Sequence, residues 1–286
     1  MYSLYLAAAI ALVVALLPMA FGVSPIWTIL PGVLLGVGAF VWMNRRIARR
    51  VEAVTGAADR EMAQMQAAAQ RPGPQTQANM FRHIDQAITI LERGFALQKW
   101  QVGIGTMLNA RIGMLIYTRW LLGQQMAQSG GGRAPAGPGL LEAIPYLEKS
   151  RVKGTKARLL SALWPAWAML AVAYYKGRKD TDAALAVLED SVKVAGKNGI
   201  LWALYAWILE QSERVDAAID VLVRGKAAAS DDPRLAENLT LLQNNKSMKM
   251  RGYGEQWYQF GLERPKVAGM QPRMGHPRMR GGPRRR

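Results

Sequence analysis

"WALYAWILEQSERVDAAIDVLVRG", residues 202–225, holds two helical patterns in succession. Trp202, Tyr205, Ala206 and Leu209 recur at three- and four-residue steps, and so do Ala218, Leu222 and Gly225, so each set lies along one face of a helix. In the second set a small residue is followed by a large aliphatic four positions on, then by a small residue three further on. Small residues let a neighbouring helix come close, and the leucine fills the groove between the two. The stretch therefore predicts two helices packed closely through these faces.

The small-large-small pattern occurs four times: Ala87, Leu91, Gly94; Ala143, Leu147, Ser150; Ala184, Leu188, Ser191; and Ala218, Leu222, Gly225, the last two copies 34 residues apart. Ahead of the later three runs a second helical pattern with a large-small doublet: Asn109, Ile112, Gly113, Ile116 in "NARIGMLI"; Trp167, Leu170, Ala171, Tyr174 in "WAMLAVAY"; and Trp202, Tyr205, Ala206, Leu209 in "WALYAWIL". Trp-x2-Leu-Gly-x2-Tyr followed by Ala-x3-Phe is the tetratricopeptide signature. Over about residues 80–246 the chain resembles the tetratricopeptide-repeat family. Trp202 to Ala218 spans 16 positions, as the family pattern requires, whereas Trp167 to Ala184 spans 17, with the extra residue assigned to "KGRKDTD". Asn109 to Ala143 spans 34, and "GQQMAQSGGGRAPAGPG" is read as a flexible loop inside that first hairpin. The family's repeat-end proline is missing, since Pro233 falls three positions late.

The resemblance implies an all-α fold, an irregular α-solenoid of three to four helical hairpins closed by the polar helix "PRLAENLTLLQNNK". It also implies that the first helix of each hairpin lines a concave groove for extended or helical peptide segments. At matching positions that groove presents Met114, Tyr117 and Thr118, then Val172, Tyr175 and Lys176, then Trp207, Glu210 and Gln211. Tyr117, Tyr175, Lys176, Trp207 and Gln211 are the partner-binding residues of this reading. The alternative role for Tyr175 and Trp207 is core filling. The Lys/Asn carboxylate clamp of some family members is not reproduced, because Lys176 stands almost alone.

Outward from the repeats, residues 1–44 carry no charge. The apolar runs 4–21 and 26–43 are each 18 residues long, separated by "GVSP". A helix of that length measures roughly 27 Å, close to the ~30 Å of a bilayer's hydrocarbon core, so residues 1–44 read as a transmembrane helical hairpin. There is no basic leader before the first run and no small-x-small cleavage site before the second, so the segment is read as retained. Arg45, Arg46, Arg49 and Arg50 follow the second run directly and act as the membrane-border anchor, which places everything from residue 45 onward on the cytoplasmic side. Residues 45–70 read as a helical stalk with an apolar stripe of Ile47, Val51, Val54, Ala58, Met62 and Met65, and residues 71–79 as a Pro/Gly linker.

Residues 247–286 read as a disordered basic tail rich in Arg, Pro, Gly and Met. From residue 246 onward eleven Lys and Arg stand against two Glu, so much of the formal charge of +17 lies there. That charge suits anionic lipid, nucleic acid or an acidic protein face without choosing among them. "RGYGEQWYQF", at 251–260, suits either stacking on bases or packing on the last helix, and packing is the favoured reading.

The absence of cysteine excludes disulfides and thiolate chemistry. The two histidines, His83 in a helix and His276 in the tail, do not make a metal site, and "GIG" at 103–105 has no strand before it to form a nucleotide turn. Asp180, Asp182, Asp231 and Asp232 suit turns and helix caps. No catalytic, cofactor-binding or metal residues are assigned. The chain reads as a non-enzymatic scaffold in the bacterial inner membrane, whose array recruits protein partners. The alternatives are a membrane-tethered nucleic-acid or ribosome receptor acting through the tail, and an accessory subunit of a membrane complex.

Overall fold

A computed structural model describes residues 2–19, 25–70, 76–128, 139–152 and 160–263, excepting the side chains of 3, 15, 17–19, 25–30 and 77. The regular elements of the described residues are all helical, and no strand is present among them. The elements in chain order are α1 (Tyr2–Met19), α2 (Pro25–Ala69), α3 (Thr76–Arg93), α4 (Ile104–Gln128), α5 (Leu140–Lys149), α6 (Trp164–Val172), α7 (Thr181–Ala195), α8 (Gly199–Gln211), α9 (Val215–Ala228), α10 (Pro233–Gln243) and the one-turn α11 (Glu255–Tyr258).

All twelve residues of the four small-large-small copies are buried. Two of them meet the patterned residues of the preceding helix directly. A Cβ on Gly113 of α4 would stand 2.6 Å from Leu147 Cδ2 of α5, and one on Gly225 of α9 would stand 2.8 Å from Trp202 Cβ of α8. These two hairpins thus close by a large side chain seated on a small residue, the ridge-in-groove contact expected from the pattern. Trp167 Nε1 donates to Ser150 O at 3.3 Å, and Trp202 Nε1 to Gly196 O at 2.7 Å, so each tryptophan also binds the end of the hairpin before it.

The first copy, on α3, finds its partner in the stalk. Gly94 is closed over by Val54 of α2, whose γ-carbon lies 3.1 Å from the position of a Cβ there, and Ile47 and Ala58 of α2 belong to the main core. The second half of α2 is therefore the first helix of an additional hairpin, and it runs without a break from the second apolar run. Met65 of α2 packs with Met80 and Ile84 of α3 in a small separate cluster. Gly56, by contrast, faces open space in mid-helix. Gly56→Ala is expected to stabilise the chain by about 0.5–1 kcal/mol, because alanine removes unfolded-chain freedom and meets no neighbour. A higher midpoint of chemical unfolding at unchanged slope checks this.

Three sequence expectations change. The extra residue between Trp167 and Ala184 is not looped out: α6 ends in a π-helical turn over Ala173–Arg178, which takes one more residue per turn, and Lys179 follows in the left-handed region at φ 56°. Residues 123–128 of the expected loop continue α4, and 129–138 lie outside the described residues. The tail does not begin at 247. Met248, Met250, Tyr253, Trp257 and Phe260 are all buried, because their aromatic and sulfur-bearing side chains find a groove that a composition count cannot see. Residues 264–286 lie outside the described residues, as do 71–75 of the linker, while 76–79 are the first turn of α3.

Asp180 and Asp232 cap α7 and α10, accepting from Ala183 N at 2.9 Å and Arg234 N at 3.1 Å. Successive hairpins are braced outside by Arg151 with Asp190, Arg214 with Asp182, and a two-pronged pair of Arg224 with Glu189, whose carboxyl Arg224 holds below its ordinary range. Exposed pairs of this kind contribute about 0–1 kcal/mol each, so the buried leucine and tryptophan contacts carry the array.

At the amino end α1 and α2 lie against each other; a Cβ on Gly36 would be 2.7 Å from Ala11 Cβ and 3.2 Å from Ala7 O. Among the described residues no helix is long and apolar enough to cross a membrane. Of the two runs read as spans, the side chains of 17–30 lie outside the described residues.

Candidate functional site

α4, the π-turn after α6, and α8 each contribute side chains to one face. Tyr117 and Trp120 come from α4, Tyr175 and Lys176 from the π-turn, and Trp207 and Glu210 from α8. The added residue of the π-turn has a local consequence: it rotates the end of α6 so that Tyr175 and Lys176 both reach this face.

The face is occupied by the chain itself. Residues 248–263 return from α10 and cross it as a strap. At the start, Lys249 N–H donates to Asn238 Oδ1 at 2.7 Å, and Met248 N–H to Glu210 Oε1 at 3.1 Å. Arg234, held by Asp232, stacks over the Tyr253 ring at 4.0 Å and reaches Gly252 O at 3.3 Å. In the middle lies a run of edge-to-face rings. Tyr175 and Trp207 have centroids 6.1 Å apart, Trp207 and Trp257 5.3 Å, and Trp257 and Phe260 6.0 Å. Such pairs add about 0.5–1.5 kcal/mol each beyond the burial of their area.

At the far end, Tyr117 O–H donates to Phe260 O at 2.6 Å and Lys176 Nζ to Gly261 O at 2.8 Å. Lys176 also lies over the Trp120 ring at 5.2 Å. Gly261 is required twice, by its φ of 62° and because a Cβ there would be 2.5 Å from Leu121 Cδ1. Burial raises the hydroxyl pKa of both Tyr117 and Tyr253, so neither ionises near neutrality. The Trp257 indole N–H meets no acceptor among the described residues. The strap's centre is therefore held by ring area, and its two ends by hydrogen bonds.

Of the five groove residues named from sequence, Tyr117, Lys176 and Trp207 touch this strap, and Tyr175 packs behind it on Trp207. Gln211 is exposed at the end of α8. Trp120, Asn238 and Arg234 also hold the strap and were not anticipated. The signal for Trp120 was its place one turn beyond Tyr117; Asn238, a buried polar residue in the capping helix, gave none. Elsewhere, His83 bonds Glu61 at 2.8 Å, and Gly103, with a φ of 92°, directly precedes α4.

Comparison with curated proteins and with solved structures finds no match. Residues 175–242, which run from the π-turn through the best-spaced hairpin and the capping helix, match the family model of the tetratricopeptide repeat.

Proposed function

We propose that this chain is a membrane-anchored cytoplasmic scaffold, without catalytic activity, whose helical array recruits protein partners to the bilayer surface. The observation that supports it best is the occupied groove. A face that holds Trp257 against the edge of Trp207 and Tyr253 under Arg234, with backbone bonds at both ends, has the chemistry to hold a partner's aromatic segment in the same way. A partner then competes with the strap, and the apparent affinity is reduced by the fraction of time the strap is seated. Tethering confines partners near the membrane and raises their effective concentration without new contacts.

The anchoring part draws on the amino-terminal pair of helices. Leu4, Leu12 and Leu16 of α1 and Leu34, Val37 and Val41 of α2 are exposed, a larger apolar surface than a soluble monomer ordinarily shows. The exposed Arg45, Arg46, Arg49 and Arg50 follow directly, as expected of a cytoplasmic border. Embedded this way, the chain is expected to stay with the membrane pellet through alkaline carbonate extraction, and to be released when residues 2–43 are deleted.

The test of recruitment is a crosslinked pull-down from native membranes with three forms: the full chain, a chain ending at Glu263, and full-length Trp257→Ala. Equal recovery from the first two and increased recovery from Trp257→Ala supports the array as the binding element. Partners lost on ending the chain at Glu263, and released by modest salt, would instead support a receptor acting through the basic tail.

A further inference from the structure

A turn between the 3₁₀ segment Gly94–Leu97 and α4 meets the amino terminus of α1 at the arginine border. Tyr2 N–H donates to Lys99 O at 3.2 Å, and the Tyr2 and Trp100 rings meet edge to face at 5.9 Å. Their depth relative to the apolar runs follows from the helix register. Gly36 of α2 faces Ala7 and Ala11 of α1, so in an antiparallel pair Tyr2 lies level with about residue 43. Trp42 is within one turn of that level, with the Arg46 guanidinium over its ring at 5.4 Å.

One end of the helix pair thus gathers aromatic side chains beside cations. Trp42 is 63% exposed, Tyr2 54% and Val102 at the tip of the turn 59%. Lys99 and Arg46 are exposed on the same border. Tyrosine and tryptophan with one apolar and one polar end, set between a purely apolar zone and a row of cations, match the layered chemistry of a lipid headgroup region. Each Lys or Arg near an anionic surface adds about 1 kcal/mol of attraction. An acidic protein would answer the cations, but it would leave the continuous apolar zone above them without a match.

We propose that the turn over residues 98–103 is a second membrane contact. Val102 enters the interfacial layer of an anionic bilayer beside Tyr2 and Trp42, backed by Trp100, which is half-buried against the core, and Lys99 and Arg46 meet headgroup phosphates. The inference rests on the anchoring reading above and adds to it. The array is not held on a loose stalk: it is pinned to the surface at the junction of α3 and α4, which fixes which face of the solenoid looks away from the lipid.

The chain has no cysteine, so single labels are unique. Val102→Cys, Leu12→Cys on α1 and Lys226→Cys on α9 each receive an environment-sensitive fluorophore in the full chain. The chains are reconstituted in vesicles of phosphatidylcholine with a minority of phosphatidylglycerol, with and without nitroxide lipid labelled either near the headgroup or at mid-chain. The expected result is a blue shift at positions 102 and 12, with most of the fluorescence lost to headgroup nitroxide at 102 and to mid-chain nitroxide at 12, since Leu12 lies mid-helix, and with no change at 226. Quenching at 12 but not at 102 overturns the second contact and leaves the anchor standing. Quenching at neither overturns both. A change at 102 that ignores nitroxide lipid but grows with the protein-to-lipid ratio assigns the turn to a second copy of the chain, and likewise overturns the proposal.

Discussion

Trp257→Ala is expected to destabilise the chain by about 3–5 kcal/mol and to free residues 248–263 from the groove. The indole is fully buried between Trp207 and Phe260, so its removal deletes two edge-to-face contacts and leaves a cavity at the centre of the strap. Trp257 is the largest fully buried side chain of the strap. With it gone, the segment between Tyr253, held by Arg234, and the Tyr117 bond to Phe260 loses its buried centre. Trp257→Phe is expected to cost about 1–2 kcal/mol, since the ring remains and the indole N–H has no acceptor to lose among the described residues. The two variants are compared by unfolding midpoint and by amide hydrogen exchange over 248–263. Lost protection confined to that segment in Trp257→Ala, with α8 and α9 unchanged, identifies the strap as a separately releasable unit. Unchanged protection would show that the strap is held by something other than the groove.

The helical pairing was legible in the sequence because it depends on residues close to one another along the chain. The small-large-small copies and the doublets before them are local patterns, and every one of the twelve residues is buried as they imply. The count of 17 between Trp167 and Ala184 was legible as well, but its location was not. A loop and a π-turn absorb one residue equally well, and the choice rests on whether Tyr175 and Lys176 find partners beyond their own helix, which they do in Trp207 and Gly261.

The strap was harder to read for a related reason. That "RGYGEQWYQF" packs was legible from its aromatic residues, and Arg234 of α10 does hold Tyr253, but most of the groove it meets is made by residues far away in the chain. Tyr117 and Phe260 are separated by 143 positions. Helix-face reasoning grouped Tyr117, Tyr175 and Trp207 on one surface, and in the structure that surface packs on residues 248–263 of the same chain. The stalk shows the opposite case. Its apolar stripe was read from sequence, but that Val54 completes a hairpin by covering Gly94 needed the fold.

Leu147→Ala and Gly113→Ala are expected to compensate each other in part. Leu147 is fully buried, and truncating it should cost about 2–5 kcal/mol, through lost burial and the cavity that remains against α4. Adding a methyl group to Gly113 alone should cost about 1–3 kcal/mol, because its Cβ would fall 2.6 Å from Leu147 Cδ2 and 2.7 Å from Cγ, and the side chain has no free volume to retreat into. In the double variant, the new methyl occupies part of the space that the leucine has left, so the overlap disappears and the cavity shrinks. The expected cost is therefore below the sum of the single costs by about 1–2 kcal/mol, a coupling typical of residues in direct contact. A double-mutant cycle on unfolding free energies measures it. Additive costs would mean that the two helices are not closed by this contact, and the repeat pattern would lose its physical basis in the hairpin where its spacing departs most from the family.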